Sequence, residues 1–164
     1  MKKLFVSICF TITAFLGFAG CKILFPAQMP DKTDMIRILE EERFSFEAIS
    51  DYLNALDYES CFIDSDNGEY FADFERHAVD DAAVVDAIKC LWKKGCSHIS
   101  KDTEKNSIVF ELWHNDQETA CGVLNRIDDR EKGEAEFMTY IEKTDLQNWY
   151  FYISDYNEYR TKNN

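Results

Sequence analysis

Cysteine is the most chemically versatile residue type in this sequence, and its spacing limits what that chemistry can be. Beyond residue 30 the chain carries Cys61, Cys90, Cys96 and Cys121. Their separations of 29, 6 and 25 residues include no Cys-x-x-Cys pair, so a structural zinc site is not supported. Cys90 and Cys96 flank Gly95, and a local disulfide can join them if the chain reverses there. Four cysteines allow three pairings, and buried free thiols are the alternative.

The three histidines, His77, His98 and His114, fall in different segments of the chain. None belongs to a His-Glu-x-x-His or comparable metal-binding spacing. His77 precedes Asp80 and Asp81 and could act as a general base oriented by a carboxylate, although a loop histidine is the plainer interpretation. The sequence contains no Gly-x-Ser-x-Gly turn to present a nucleophilic serine. We therefore expect no metal and no cofactor.

An acidic segment, Asp64-Ser65-Asp66-Asn67-Gly68, has the composition of a calcium loop but not its register. In the EF-hand pattern the glycine is the sixth residue of the loop, whereas Gly68 is the fifth counted from Asp64. Asn-Gly is also the dipeptide that best satisfies the two positive φ positions of a type I′ turn. We therefore predict a hairpin with its tip at residues 67 and 68, between strands at 59–66 and 69–74.

The aromatic run Trp149-Tyr150-Phe151-Tyr152 is the feature most typical of a binding surface. Alternation along a strand places Trp149, Phe151 and Ile153 on one face, which we assign to the core. Tyr150 and Tyr152 then lie on the other face, exposed or under a loop, although a core role for the run is the plainer interpretation. Because tyrosine gives rigid contact area with a polar tip, these two residues are the candidate binding face for a protein or a glycan.

The elements that must position these residues divide into early helices and later strands. Apolar residues at helical spacing from Met35 to Leu56 predict a helical region, capped by Asp31 or Thr33 and interrupted near residues 43–45. A second helix is predicted over residues 82–94, because Asp80 and Asp81 precede an apolar stripe that ends at Gly95.

Alternating apolar residues predict strands at 97–101, 107–113, 120–127, 135–142 and 149–153. The third and fourth of these flank a polar turn at 129–133 and are predicted to pair as a hairpin, and residues after Asp155 are expected to fray. Since helices precede strands without regular alternation, we predict an α+β fold: a mainly antiparallel sheet with two or three helices packed on one face.

The N-terminal region resembles the leader of a bacterial lipoprotein. Lys2 and Lys3 precede an apolar stretch from Leu4 to Phe18, and Phe18-Ala19-Gly20-Cys21 is similar to a lipobox. The resemblance implies that residues 1–20 are a signal peptide, that Cys21 receives a diacylglycerol anchor, and that 21–30 is a tether to a single domain at 31–164. A cleaved secretory signal without lipidation, or an uncleaved anchor, are the alternatives. All three interpretations place the domain on the extracytoplasmic side of a cell membrane.

Charge and composition narrow the function. The 164 residues include 18 Lys and Arg against 31 Asp and Glu, for a net charge of -13, with 46% hydrophobic and 15% aromatic residues. Such a chain can form a core but is unsuited to nucleic acid, which is bound mostly through Lys and Arg. We therefore expect a lipid-anchored domain with a non-enzymatic binding role toward an envelope protein or glycan. The alternatives are a small cell-envelope hydrolase and an ion- or solute-binding lipoprotein.

Overall fold

The computed structural model of the chain describes residues 28–115, 119–128 and 137–163. The predicted signal peptide, Cys21 and most of the predicted tether lie outside these residues. The helices are α1 (Lys32–Glu41), α2 (Arg43–Ala55), α3 (Ala82–Lys93) and α4 (Tyr156–Asn163). The strands are β1 (Ser60–Ile63), β2 (Glu69–Ala72), β3 (Glu75–Ala78), β4 (His98–Asp102), β5 (Ser107–Asn115), β6 (Thr119–Arg126), β7 (Met138–Lys143) and β8 (Trp149–Asp155).

The eight described strands form one antiparallel sheet in the order β3-β2-β1-β4-β5-β6-β8-β7. Helices and sheet together confirm the predicted α+β fold. The hydrophobic core joins one face of this sheet to α1, α2 and α3. The opposite face carries no part of that shared core, and we refer to it below as the open face.

Local signals in the sequence set the helix boundaries. Asp31 caps α1 by accepting a hydrogen bond from the Asp34 amide at 2.9 Å, which is the predicted arrangement. Asp81 caps α3 in the same way, through the Ala83 amide at 2.8 Å. Gly95 follows α3 with φ +103°, a conformation that a side chain disfavours. The predicted split of the first helical region into two helices is confirmed, but it falls at Glu42, and the predicted residues 43–45 already belong to α2.

A row of directly paired residues crosses the centre of the sheet and defines the core. Ile63 pairs with Ile99, Ile99 with Phe110, Phe110 with Val123 and Val123 with Phe151. All five are at most 3% exposed. Phe46 of α2 packs edge-on against Phe110, with ring centroids 4.9 Å apart. Side chains of the intervening residues therefore lie on the open face, because successive residues of a strand alternate.

The predicted hairpin around residues 67 and 68 is confirmed by the antiparallel pairing of β1 with β2, but the tight two-residue turn lies one turn later than predicted. Residues 64–68 form a longer loop in which Gly68 has φ +78°, so the predicted two-residue turn at 67 and 68 is wrong. The two-residue turn is formed instead by Asp73 and Phe74, with φ of 49° and 67°. It joins β2 to β3, where Ala72 pairs with Glu75. In the earlier loop the Asn67 side chain accepts a hydrogen bond from the Glu69 amide at 3.1 Å, which satisfies the backbone without a tight turn.

Two further predictions for the C-terminal half are wrong. Strand β6 pairs with β8 and not with β7, and β7 lies at the edge of the sheet beyond β8. The aromatic strand β8 takes the interior position because its rings are buried there, whereas the predicted turn at 129–133 lies outside the described residues. Residues after Asp155 form helix α4, begun by Asp155, whose carboxylate accepts from the Glu158 amide at 2.8 Å.

A β-bulge interrupts the pairing of β5 with β6. The register shifts between Glu111 and Trp113, opposite Gly122 and Cys121. A Cβ on Gly122 would lie 2.0 Å from the Phe110 carbonyl oxygen, which is far inside van der Waals contact. Gly122 is therefore the residue that allows the two backbones to approach at the bulge.

Candidate functional site

A group of aromatic rings lies on the open face at β1, β2 and β4; three of them are partly buried and one is exposed. Phe62 lies between the buried residues Cys61 and Ile63, so its side chain is on the face opposite the helices. Phe71 is its direct cross-strand partner, with ring centroids 5.0 Å apart. The His98 ring lies 5.6 Å from Phe62 on the next strand. Together with Phe74 these residues form what we call the aromatic patch.

Phe74 is the most exposed member of the patch. It occupies the second position of the two-residue turn after β2, with φ 67° and a side chain that is 94% exposed. Type I′ turns favour glycine or asparagine at such positions, because a Cβ is disfavoured at positive φ. A large apolar ring is thus held in solvent on a backbone conformation that does not suit it.

The aromatic patch lines a concavity of about 380 Å³ with a polar rim. Hydroxyl and carboxylate side chains contribute to the rim, among them Ser60, Ser100 and Asp102, and Lys105 pairs with Asp102 at 3.4 Å. Burial lowers the pKa of His98, while Glu111 and Asp64 act in the opposite direction. The lowered pKa favours a neutral imidazole beside the phenylalanine rings at pH 7, so the floor of the concavity is apolar.

The predicted binding face on β8 is only partly correct in position. Tyr150 is half-buried and lies under the Arg126 guanidinium, 4.6 Å from the ring centroid. Tyr152 is 3% exposed, so its assignment to an exposed face is wrong. It pairs with Gly122, which has no side chain, and the ring occupies the space above that glycine near Glu111 and Cys121. Burial raises the pKa of Tyr152.

The four described cysteines are free thiols. Cys90 and Cys96, the pair considered for a local disulfide, have different partners: Cys90 Sγ donates to Glu42 Oε2 at 3.0 Å, and Cys96 Sγ to the His98 carbonyl at 3.7 Å. Burial raises the pKa of Cys96 to about 12 and that of Cys121 to about 11. Thiols with such values are weak nucleophiles at neutral pH, because little thiolate is present. Cys21 lies outside the described residues.

His77 is positioned by aromatic rings and a backbone carbonyl. Its ring stacks on Tyr70 at a centroid distance of 5.2 Å, and its Nε2 lies 3.3 Å from the Ala72 carbonyl oxygen. The carboxylate considered as its partner, Asp80, accepts instead from the Tyr52 hydroxyl at 3.1 Å. The general-base arrangement suggested for His77 is therefore not formed.

A hydrogen-bonded cluster at the bulge was not singled out from the sequence. Ser97 Oγ donates to Glu111 Oε1 at 2.7 Å, and His114 Nδ1 lies 2.9 Å from the same oxygen. In a regular strand residues i and i+3 face opposite sides. The bulge between Glu111 and Trp113 returns Glu111 and His114 to one face, where both line a second concavity. No sequence motif marks this cluster, since its geometry depends on the extra residue of the bulge.

The cluster is not arranged as a nucleophile triad. In such a triad the serine and the carboxylate contact opposite nitrogens of the imidazole. Here Ser97 Oγ lies 3.2 Å from His114 Nδ1, the same nitrogen that contacts Glu111. The histidine therefore cannot take the Ser97 proton through Nε2 while Glu111 orients it through Nδ1.

The acidic loop at residues 64–68 is held by protein contacts. Both Asp64 carboxylate oxygens accept from the Arg76 guanidinium at 3.2 Å, and this interaction lowers the pKa of Asp64.

Within the described ranges no group of three or more His, Cys, Asp or Glu side chains is arranged to hold a metal ion. Within the same ranges no helix is both long and apolar enough to cross a membrane.

Comparison with known proteins gives no relative: the chain matches no protein family, no curated protein and no solved structure.

Proposed function

We propose that this protein is a lipid-anchored extracytoplasmic domain that binds an envelope protein through the aromatic patch, without catalysing a reaction. The location is supported by the leader and by the lipobox-like Phe18-Ala19-Gly20-Cys21. A diacylglycerol on Cys21 supplies two acyl chains, which anchor a protein far more firmly than one. The net charge of -13 opposes adsorption to an anionic surface, so the lipid is the anchor.

The binding proposal is carried by the exposure of Phe74, whose ring is almost entirely in solvent at a turn position with positive φ. Strained residues persist where the surrounding fold fixes them, and they concentrate at functional sites. Beside this ring, Phe62 and Phe71 form an apolar floor within a polar rim. A protruding aromatic side chain next to an apolar concavity is the arrangement found at the energetic centre of many protein interfaces.

A protein partner fits the patch better than a glycan does. The described rings are those of phenylalanine and the partly buried His98, which offer apolar area but no phenol or indole donor. Phenylalanine gains most when an apolar side chain of a partner covers it. The partner expected is therefore an envelope protein that places an aliphatic or aromatic side chain against Phe62 and Phe71 and surrounds Phe74.

Site-specific photocrosslinking in intact native cells tests the binding proposal. A photoreactive phenylalanine analogue at position 74 should give a discrete adduct with one envelope protein, and Phe62→Ser or Phe71→Ser should abolish it. Phe44, which is 87% exposed at the start of α2, provides the matched control position and should give no such adduct. An adduct at both positions, an adduct that survives Phe62→Ser, a glycan adduct, or no adduct at 74 would each overturn the proposal.

The anchor is tested separately. Radiolabelled palmitate should enter the wild-type chain and not a Cys21→Ser variant, and mass spectrometry should find Cys21 as the mature N-terminus. An unlabelled wild-type chain that retains Met1 would overturn this part of the proposal and leave the binding test standing.

A further inference from the structure

The concavity beside the bulge has a composition that the proposed function does not use. It has a volume of about 390 Å³ and lies on the open face, where β5, β6 and β8 meet the start of α4. Its described lining includes Glu111, His114, Phe137, Ser154 and Tyr156. It shares no described residue with the concavity of the aromatic patch.

Hydrogen-bond acceptors dominate the polar side of this pocket. Glu111 Oε1 accepts from Ser97 and His114, which holds the carboxylate in place, while Glu111 Oε2 has no partner among the described residues. His114 contacts the carboxylate through Nδ1, so Nε2 is the imidazole nitrogen that does not face Glu111. Ser154 Oγ donates to the Ala120 carbonyl at 3.5 Å and retains its own lone pairs for a ligand.

The apolar side of the pocket is aromatic. The rings of Phe137 and Tyr156 meet edge to face, with centroids 5.1 Å apart, and Tyr156 is 45% exposed. The face of an aromatic ring attracts a cation through its quadrupole when the charge lies within about 6 Å of the ring centroid. The aromatic side of the pocket can therefore contact both the alkyl part and the positive charge of one small ligand.

Charge decides which ligand class fits. No lysine or arginine is found among the described lining residues, and the Glu111 carboxylate disfavours an anion beside it. The pocket instead presents a fixed carboxylate with one oxygen unpaired, and the whole chain carries a net charge of -13 that attracts cations. We infer that this pocket binds a small organic ammonium ion, with the charge between the Glu111 carboxylate and the ring face of Tyr156 and the alkyl body against Phe137.

Calorimetric titration of the full chain in detergent tests the inference, with n-butylammonium as probe and n-butanol and butyrate as neutral and anionic counterparts. Saturable binding is expected for the ammonium ion only. Glu111→Gln should weaken it by at least about tenfold, since a charged hydrogen-bond partner is removed. Glu47→Gln on α2 removes the same charge far from the pocket and should change affinity by less than about twofold. Equal binding by Glu111→Gln, or by n-butanol, would overturn the inference.

A second variant keeps the test decisive if Glu111→Gln does not fold. Tyr156 is exposed, so Tyr156→Leu should fold normally and bind n-butylammonium roughly fivefold more weakly through loss of the cation–π contact. Unchanged affinity in Tyr156→Leu would overturn the inference. Phe74→Ala should bind the ammonium ion as the wild type does, so failure here is distinguishable from failure of the aromatic patch.

Discussion

Phe74 combines a disfavoured backbone conformation with nearly complete exposure of its ring. A left-handed φ of 67° costs an L-residue about 1–2 kcal/mol relative to its preferred region. The 94% exposure means that the ring recovers almost none of this in packing. Glycine would be more stable than phenylalanine at this turn position, which supports the proposal that the Phe74 ring serves binding.

Phe74→Gly should therefore raise the free energy of unfolding by up to about 1 kcal/mol, because relief of strain exceeds the extra flexibility of glycine in the unfolded chain. Urea denaturation measures the change. Asp73→Gly is the matched control, with φ 49° in the same turn, and should gain less because aspartate tolerates that region better. A clear loss of stability in Phe74→Gly would show that the ring packs in the folded protein.

Individual site residues were only partly accessible from the sequence. Alternation correctly placed Trp149 and Phe151 in the core, but it could not show that the face of Tyr152 is covered as well. The aromatic patch was missed because the pairing of Phe62 with Phe71 depends on strand register. The positive φ of Phe74 was missed because phenylalanine is not a residue type that marks such a turn. An Asp-Phe pair between two short strands is the only local sign of that turn.

The bulge in β5 is the element on which the second concavity depends. Gly122→Ala would bring a Cβ to 2.0 Å from the Phe110 carbonyl oxygen, and backbone on both sides leaves no flexible side chain to move away. We expect a loss of about 3 kcal/mol or more in the free energy of unfolding, as for other overpacked sites. Gly95→Ala is the comparison: its nearest contact is at 3.2 Å, so it should lose only about 1–2 kcal/mol, from the strain of a side chain at φ +103°, in the same urea titration. An equal loss in the two variants would contradict this account of the bulge.

Glu42 links the junction of α1 and α2 to α3. It accepts from Cys90 Sγ and pairs with Lys94 Nζ, each at 3.0 Å. The hydrogen bond from Cys90 and then that from Lys94 lower the pKa of Glu42 below 4.5. A carboxylate with a lowered folded-state pKa adds stability above its unfolded pKa, and this stability is lost as the pH falls through the folded value.

Glu42→Gln should accordingly lower the free energy of unfolding by about 0.5–1 kcal/mol at pH 7 and by little at pH 3. Chemical denaturation at the two pH values measures this difference. Glu40→Gln removes the same charge from a residue of α1 that forms no ion pair among the described residues, and it corrects for the general charge change. A deficit in Glu42→Gln that is equally large at pH 3 would argue against the ion pair as its cause.

Element boundaries were predicted well where one local signal determines them. Helix α3 has an Asp81 cap, an apolar stripe and a terminal Gly95, all readable from nearby residues. The pairing of β6 with β8 was not readable, because it joins residues that the chain separates and is decided by which strand buries more aromatic area. The same limit explains why the polar tail was not predicted as α4.

At the scale of the whole molecule, negative charge dominates. With 31 acidic and 18 basic side chains, mutual repulsion opposes the compact state at neutral pH. Sodium chloride at about 0.5 M should screen this repulsion and raise the melting temperature by roughly 2–5 °C relative to low salt. Differential scanning calorimetry measures the shift. Near pH 4.6, the calculated isoelectric point, the gain should disappear, and a gain that persists there would point to salting-out instead.

Helix α1 starts at Lys32, and Lys32 pairs with Glu142 at the edge strand of the sheet. On the proposed anchor, about ten residues separate the acylated cysteine from this fixed point, and fully extended they span at most ~35–40 Å. Every partner must then come to within the tether's reach plus one domain diameter of the bilayer. Confinement to so thin a layer raises the local concentration of membrane-bound partners, so even a weak contact at Phe74 would be occupied there.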